Sequence, residues 1–138
     1  MKISARDEYA CSAVLELALN YDSEAPVRVQ DIAERQGIPM KFLFQIMQIL
    51  KRVDIVKSRR GTEGGYTLTR PPAQTSVGDV IRAMSGPFVQ LSCEETSGEF
   101  KPIWDDVDRA IAGVLNNITF EELVRRSRLN QQQLMYHI

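Results

Sequence analysis

Residues 59–66 read Arg59-Arg60-Gly61-Thr62-Glu63-Gly64-Gly65-Tyr66 and decide the fold of this chain. Two adjacent cations lead into a loop with three glycines, and an alternating strand begins at Tyr66. Glycine allows the positive φ angles and the close backbone approach that a tight hairpin needs. Arginines at the base of such a hairpin can reach phosphates or a narrow minor groove. The stretch predicts a DNA-binding hairpin or an ordinary basic surface turn, and its neighbours decide between the two.

A helix-turn-helix pattern lies just before this hairpin. Residues 29–36 show helical periodicity, Gly37 is placed to end that helix, and Ile38-Pro39 is placed to start another that runs to about residue 52. Two helices joined by a short glycine-containing turn are typical of proteins whose second helix enters the major groove. The hairpin then completes a winged helix-turn-helix. The apolar stripe of the second helix is expected at Phe42, Ile46, Ile49 and Val53.

The carboxyl-terminal half predicts three further helices. One is capped by Ser76, a long amphipathic one starts at Pro102, and a short one covers 120–126 before a frayed polar tail. The long helix could pack on the first helix or on a second copy of the chain. We favour the second copy, because helix-turn-helix proteins often dimerise to place two recognition helices one DNA turn apart.

These elements predict a fold that is mainly α with a small β wing, a winged helix-turn-helix domain followed by a long C-terminal dimerisation helix. The expected division of the chain is a winged-helix DNA-binding domain over 1–86, a sensor-type loop over 87–100, and a dimerisation helix with a C-terminal tail over 101–138.

Charge and composition exclude several classes of protein. The net charge is −1, but residues 28–70 hold nine Lys and Arg against four acids, and phosphate contacts act locally. No apolar run approaches the ~20 residues of a membrane span, and the amino terminus has no secretory segment, so we expect a cytoplasmic protein without membrane contact. The sole histidine, His137, has no nucleophile arranged around it, so we expect no enzyme.

The residues expected to contact DNA have different roles. Gln45 and Gln48 could read adenine, and Lys41 could reach guanine or phosphate. The arginines of the wing could hold the backbone, and Lys2, Ser4 and Arg28 could contact flanking phosphates. Phe44 could contact a thymine methyl, or it could pack inward or against the wing, and both interpretations stay open. The full set of DNA-binding candidates is Lys2, Ser4, Arg28, Pro39, Met40, Lys41, Phe44, Gln45, Gln48, Arg59, Arg60, Gly61, Thr62, Gly64, Gly65 and Tyr66.

The chain resembles the winged-helix regulator family that includes IscR, NsrR and CymR, over nearly its whole length. The similar stretches are Met1-Lys2-Ile3-Ser4, Tyr9-Ala10, Val29-Gln30-Asp31-Ile32-Ala33, Phe42-Leu43 with Gln45, Arg60-Gly61, Gly64-Gly65-Tyr66, Val77-Gly78-Asp79-Val80-Ile81-Arg82 and Gly86-Pro87. The resemblance implies a homodimeric transcriptional regulator, usually a repressor, that binds a palindromic operator in double-stranded DNA. It also implies that a signal sensed near the dimerisation helices changes the affinity for DNA.

Some members of the family bind an iron–sulfur cluster, but this chain has only part of their ligand set. IscR and NsrR hold a cluster with three cysteines in the loop before the long helix, whereas this loop offers only Cys93. A cluster site made of Glu8 and Cys11 from one chain and Cys93 from its partner stays open, although two thiolates are few for such a cluster. The other readings of Cys93 are a redox or thiol sensor and an inert residue. A protein or small-molecule effector is also open, since CymR-like members work without a cluster.

One other function is compatible with this sequence pattern. A winged helix can bind other proteins without touching DNA, because the same fold hosts many functions. The excess of cations over 28–70 argues against this reading, since a protein-binding surface does not require it.

Overall fold

The structure is a computed structural model that describes residues 2–90 and 98–136. The described chain is mostly helical, and its two strands form one antiparallel hairpin, which confirms the predicted fold class. Short 3-10 turns at Tyr21–Ser23 and Pro72–Gln74 connect some of the elements. The elements in chain order are α1 (Ala5–Leu19), α2 (Val29–Gln36), α3 (Met40–Arg52), β1 (Val56–Arg59), β2 (Gly65–Leu68), α4 (Val77–Ser85), α5 (Phe100–Leu115) and α6 (Phe120–Tyr136).

Helix α1 lies at the centre of the molecule and packs against α2, α3, α4 and α6. Its buried residues include the small side chains of Ala10 and Ala13, which let the neighbouring helices approach closely. A capping box starts the helix: the Asp7 backbone N–H donates to Ser4 Oγ at 3.1 Å, and the Ser4 N–H donates to Asp7 Oδ2 at 3.2 Å. None of the helices in the described ranges has the length and apolar character needed to cross a bilayer.

The buried face of α3 differs from the predicted stripe. The predicted residues Phe42, Ile49 and Val53 lie beside or outside the core, and Val53 is 46 % exposed. Apolar residues occur on both sides of this helix, so its periodicity alone could not select one face. The helix also begins at Met40 instead of Ile38-Pro39. The residues that α3 buries are Leu43, Ile46, Met47 and Leu50.

The wing is a short hairpin that a third segment extends. Strand β1 pairs with β2 in the register Val56↔Leu68 to Arg59↔Gly65. The Val27 N–H donates to the Tyr66 carbonyl at 2.9 Å, and the Tyr66 N–H donates to the Val27 carbonyl at 2.8 Å. A Cβ on Gly65 would lie 2.4 Å from the Val27 carbonyl oxygen. This glycine is therefore required for space, whereas Gly61 provides the positive φ of the turn, at +117°.

Helix α3 ends in a Schellman motif that contains a strained residue. The Ile55 N–H donates to the Leu50 carbonyl at 3.0 Å, and the Asp54 N–H donates to the Lys51 carbonyl at 3.1 Å. Asp54 occupies the left-handed position of the motif, with φ +63°. Glycine is the residue that adopts this conformation most easily.

We expect Asp54→Gly to raise the free energy of unfolding by about 0.5–1 kcal/mol, since it removes the Cβ that opposes the left-handed conformation. Urea denaturation of the DNA-free protein measures the change. Asp54→Ala is the matched control, because it removes the carboxylate but keeps the Cβ. A glycine variant no more stable than the alanine variant would contradict the expected relief of strain.

The carboxyl-terminal helix is longer and better anchored than predicted. The sequence predicts a helix over 120–126 and a frayed tail, but α6 continues to Tyr136. Phe120 is fully buried in the core that α1 forms, and its backbone N–H donates to the Thr75 carbonyl at 2.9 Å. The residues after Val124 are mostly exposed and show little apolar periodicity, so the sequence pattern does not indicate this length, although their unbranched side chains favour helix. The division of the chain at 86 and 100 stays a prediction.

Candidate nucleic-acid interface

A concave surface of about 490 Å³ lies between the wing and the start of α2. Arg28 is the N-cap of α2, and its side chain makes no capping hydrogen bond. The first-turn backbone N–H groups of Val29 and Gln30 have no partner within an α-helix, and a helix start is a favourable place for a phosphate. The wing contributes Arg59, Arg60 and the backbone of its glycine loop to the same concavity.

Arginine side chains concentrate positive charge around this concavity. Arg28, Arg59 and Arg60 are all exposed, and none of them forms an ion pair within 4 Å in the parts of the chain that the structure describes. Mutual repulsion among unpaired cations is relieved when an anion binds between them. The concavity can therefore hold a polyanion through three side chains and a helix start.

Arg28 has a structural role that the sequence analysis did not foresee. Its Nη2 donates to the Thr62 carbonyl oxygen at 2.9 Å and thereby ties the start of α2 to the tip of the wing. The wing is also held at its base by the hydrogen bonds between Val27 and Tyr66. Arg28 thus positions the hairpin and still presents charge to a ligand. Donor and acceptor are 34 positions apart, so this hydrogen bond leaves no local signal in the sequence.

The recognition helix α3 presents an exposed polar face. Lys41, Gln45 and Gln48 are exposed along one side of the helix, where spacings of three and four residues align side chains. Phe44 is 52 % exposed, which excludes inward packing. Pro39 precedes the helix and is exposed, and Met40 is half-buried against the core. This face is free to enter a groove, as the second helix of a helix-turn-helix does.

The amino-terminal candidates border a different surface. Lys2 and Ser4 are exposed beside a second concavity of about 520 Å³, which Ser85 and Gln90 also line. Ser85 Oγ donates to the buried Asp7 Oδ1 at 2.6 Å and joins the end of α4 to the start of α1. The structure therefore does not bring Lys2 and Ser4 into the wing concavity.

Glu16 is a buried acid that the sequence analysis passed over. Its Oε1 accepts a hydrogen bond from Arg35 Nη1 at 3.0 Å, and its Oε2 accepts one from Gln36 Nε2 at 2.9 Å. The hydrogen bond and charge of Glu16 raise the pKa of the Arg35 guanidinium. Glu16 thus fixes the end of α2 on α1. A lone acid in the otherwise apolar stretch 13–19 of α1 is the signal that could have identified it.

The described residues do not fit an iron–sulfur cluster or another metal. Cys93 and its neighbours at 91–97 lie outside the described residues. Burial, followed by the charges of Asp7 and Glu8, raises the pKa of the Cys11 thiol to about 11, so the thiolate that metals prefer is disfavoured. In the described ranges, no group of three or more His, Cys, Asp or Glu residues could hold a metal ion.

Comparison with known proteins agrees with this geometry. Residues 3–126 match the Rrf2 family, described as an iron-dependent transcriptional regulator. IscR of Cronobacter sakazakii is 35 % identical over 94 % of this chain and 83 % of its own length. The solved structure of CymR, the global cysteine regulator of B. subtilis, superposes with a TM-score of 0.79 at 31 % identity and covers 91 % of this chain and 98 % of its own. T. potens IscR superposes with a TM-score of 0.75 at 34 % identity, covering 92 % and 88 %.

Proposed function

Because the chain belongs to the Rrf2 family of transcriptional regulators, we propose that it acts as a homodimeric repressor on a palindromic operator in double-stranded DNA. Members of this family are DNA-binding transcriptional regulators. This protein is therefore a DNA-binding regulator and not an enzyme. The observation that carries the proposal is the set of three arginines around the concavity between the wing and α2, which form no ion pair with any residue that the structure describes. Such a regulator acts where the DNA is, so we expect it in the cytoplasm.

We assign sequence-independent contacts to the wing and base contacts to α3. Arg59 and Arg60 would hold the phosphate backbone or the minor groove, with the glycine loop allowing close approach. Gln45 and Gln48 would read adenine, and Phe44 would contact a thymine methyl. The exposure of these five side chains supports the assignment, since a side chain must lie at the surface to contact DNA.

A second copy of the chain is the partner we propose for α5. Within the described chain, no residue of this helix is buried, although one side of it is apolar. An unpartnered apolar stripe of this size on a monomer marks an interaction surface. A twofold dimer would also present two recognition helices to two half-sites. We name this stripe the α5 face, and its most exposed members are Phe100, Ile103, Trp104, Val107 and Val114.

The signal we propose is redox, iron–sulfur or thiol-related. The family is described as iron-dependent, and one similar structure is a cysteine regulator, which supports this class of signal. Because the metal-binding side chains among the described residues do not fit an iron–sulfur cluster, we assign no role in DNA binding to such a cluster. Iron and sulfide analysis of protein purified without oxygen tests the cluster. A comparison of the DNA affinity of the natural protein and of Cys93→Ser, each with and without oxidant, tests whether this thiol is the sensor.

We expect the double substitution Arg59→Ala with Arg60→Ala to weaken binding to every duplex by about 10–100-fold or more and to lower the salt slope by about 4, since the dimer loses two phosphate contacts in each protomer. Titration of fluorescent duplexes at several salt concentrations measures both quantities. Gln45→Ala is expected instead to change the preference at particular bases.

Lys51→Ala with Arg52→Ala is the matched control for this experiment. It removes two adjacent exposed cations that do not border the wing concavity. We expect a much smaller change in affinity and slope from this pair. Removal of Arg59 and Arg60 without loss on any duplex would show that the wing does not contact DNA.

A further inference from the structure

A recess of about 380 Å³ lies between the turn that follows α1 and the hairpin of the wing. Its apolar lining comes from Leu17, Val27 and Leu68, which belong to the core, and from the half-buried ring of Tyr66. This volume suits a molecule of amino-acid size. The apolar lining offers a place for an alkyl or aromatic group, as ligand sites generally do.

Charges of opposite sign line this recess without meeting. Asp22 and Glu24 belong to the turn after α1, whereas Lys57 and Arg59 belong to β1. All four side chains are exposed, and none of them forms an ion pair within 4 Å or a side-chain hydrogen bond among the described residues. A ligand with an ammonium group at one end and a carboxylate at the other would satisfy both groups through charge-assisted hydrogen bonds.

Backbone strain marks the acidic side of the recess. Glu24 has φ +59° and lies in the left-handed region, which glutamate rarely adopts. Its N–H donates to the Tyr21 carbonyl at 3.2 Å, so the turn itself holds the residue in place. Strained non-glycine residues cluster at ligand sites, where the side chain is needed despite the conformation.

Arg59 connects the recess to the DNA interface. It borders both the recess and the concavity between the wing and α2. One guanidinium cannot hold a ligand carboxylate in the recess and a phosphate in the concavity with full strength at the same time. Two ligands that compete for one group lower each other's affinity reciprocally.

We propose that the recess binds a small zwitterion of the amino-acid class, with its ammonium group at Asp22 and Glu24 and its carboxylate at Lys57 and Arg59. Occupation of the recess draws Arg59 away from phosphate and weakens DNA binding. The proposed ligand site depends only on the shape and charges of the recess. The coupling to DNA rests on the proposed function of the wing.

Titration of the DNA-free protein tests the site. The probes are glycine, 4-aminobutanoate, 6-aminohexanoate and L-phenylalanine. Binding of each probe is measured from the changes in backbone amide chemical shifts in NMR spectra. At least one probe is expected to bind with a dissociation constant of about 1 mM or lower. Asp22→Asn and Lys57→Gln are each expected to weaken it about tenfold, the effect of one lost charge-assisted contact.

Glu34→Gln and Lys51→Gln are the matched controls, since both residues are exposed and neither lines the recess. We expect them to leave probe binding unchanged. The proposed site is overturned if no probe gives saturable shifts, or if Asp22→Asn and Lys57→Gln bind as tightly as the natural protein.

The coupling is tested with a mixed-sequence duplex of about 30 base pairs, long enough for two half-sites. A saturating probe is expected to lower the affinity for this duplex about fivefold or more. Asp22→Asn is expected to keep the DNA affinity and lose the response. Unchanged DNA affinity at saturation overturns the coupling alone. If the protein binds no duplex, both the coupling and the proposed DNA-binding function are wrong. The NMR titration still tests whether the recess binds a zwitterion.

Discussion

Val107→Glu is expected to convert the protein into a monomer and to weaken binding to a duplex with two half-sites by about 10²–10⁴-fold, because the linkage of two modules is lost. Val107 lies in the middle of the α5 face and is 40 % exposed in the single chain. In a dimer, a glutamate at this position would be buried without a partner, and an unpaired buried charge is strongly unfavourable. In the monomer it would face water. The substitution therefore disrupts association without disrupting the fold.

Analytical ultracentrifugation measures the oligomeric state, and duplex titration measures the affinity. Arg109→Glu is the matched control, because two positions along an α-helix turn it by about 200° and so place Arg109 on the side of α5 opposite Val107, and its side chain is exposed. We expect this control to remain dimeric. A Val107→Glu protein that stays dimeric and binds DNA normally would exclude the α5 face as the dimer interface.

Phe120→Ala is expected to lower the free energy of unfolding by about 3–5 kcal/mol, the range for deleting a buried aromatic ring. This loss is a large fraction of the stability of a typical domain, about 5–15 kcal/mol. Phe120 is fully buried and joins α6 to the core around α1, so its deletion leaves a cavity that the helices cannot close. Urea denaturation followed by circular dichroism measures the change.

Leu134→Ala is the matched control on the same helix, since Leu134 is 66 % exposed. We expect it to change stability by about 0.5 kcal/mol or less, as surface substitutions do. If Phe120→Ala does not fold, Phe120→Leu leaves a smaller cavity and should lose a measurable part of the stability. A loss no greater than that of Leu134→Ala would show that α6 is not part of the core.

Local signals explain why most of the fold was predictable. Gly37 ends α2 in the left-handed conformation, with φ +66°, as its place after the periodic stretch predicts. Ser76 caps α4, and its hydroxyl accepts from the Asp79 N–H at 3.1 Å. Gly61 turns the hairpin with a positive φ. Each of these residues acts on a backbone within a few positions of itself, so the chemistry is visible in the linear sequence.

Features that depend on distant contacts were not predictable. The face that α3 buries is chosen by α1 and α4, which pack on it, and the helix carries apolar residues on both candidate faces. The hydrogen bond from Arg28 to Thr62 and the clamp of Glu16 on Arg35 join residues that lie 34 and 19 positions apart. Such pairings follow from tertiary packing, which overrides local preference. The DNA-contacting residues themselves stay a prediction until binding is measured.

Two hydrogen bonds have a consequence for how this architecture can diversify. The Val77 N–H donates to the Ile118 carbonyl, and the Phe120 N–H donates to the Thr75 carbonyl, each at 2.9 Å. Residues 77 and 118 therefore lie at nearly the same point of the molecule, and α4, which follows the first of them, packs in the core against α1 and α3. A segment whose two ends meet can gain, lose or exchange residues at small entropic expense. Residues can thus be inserted or exchanged between the end of α4 and Ile118 while the helix-turn-helix and the wing keep their geometry.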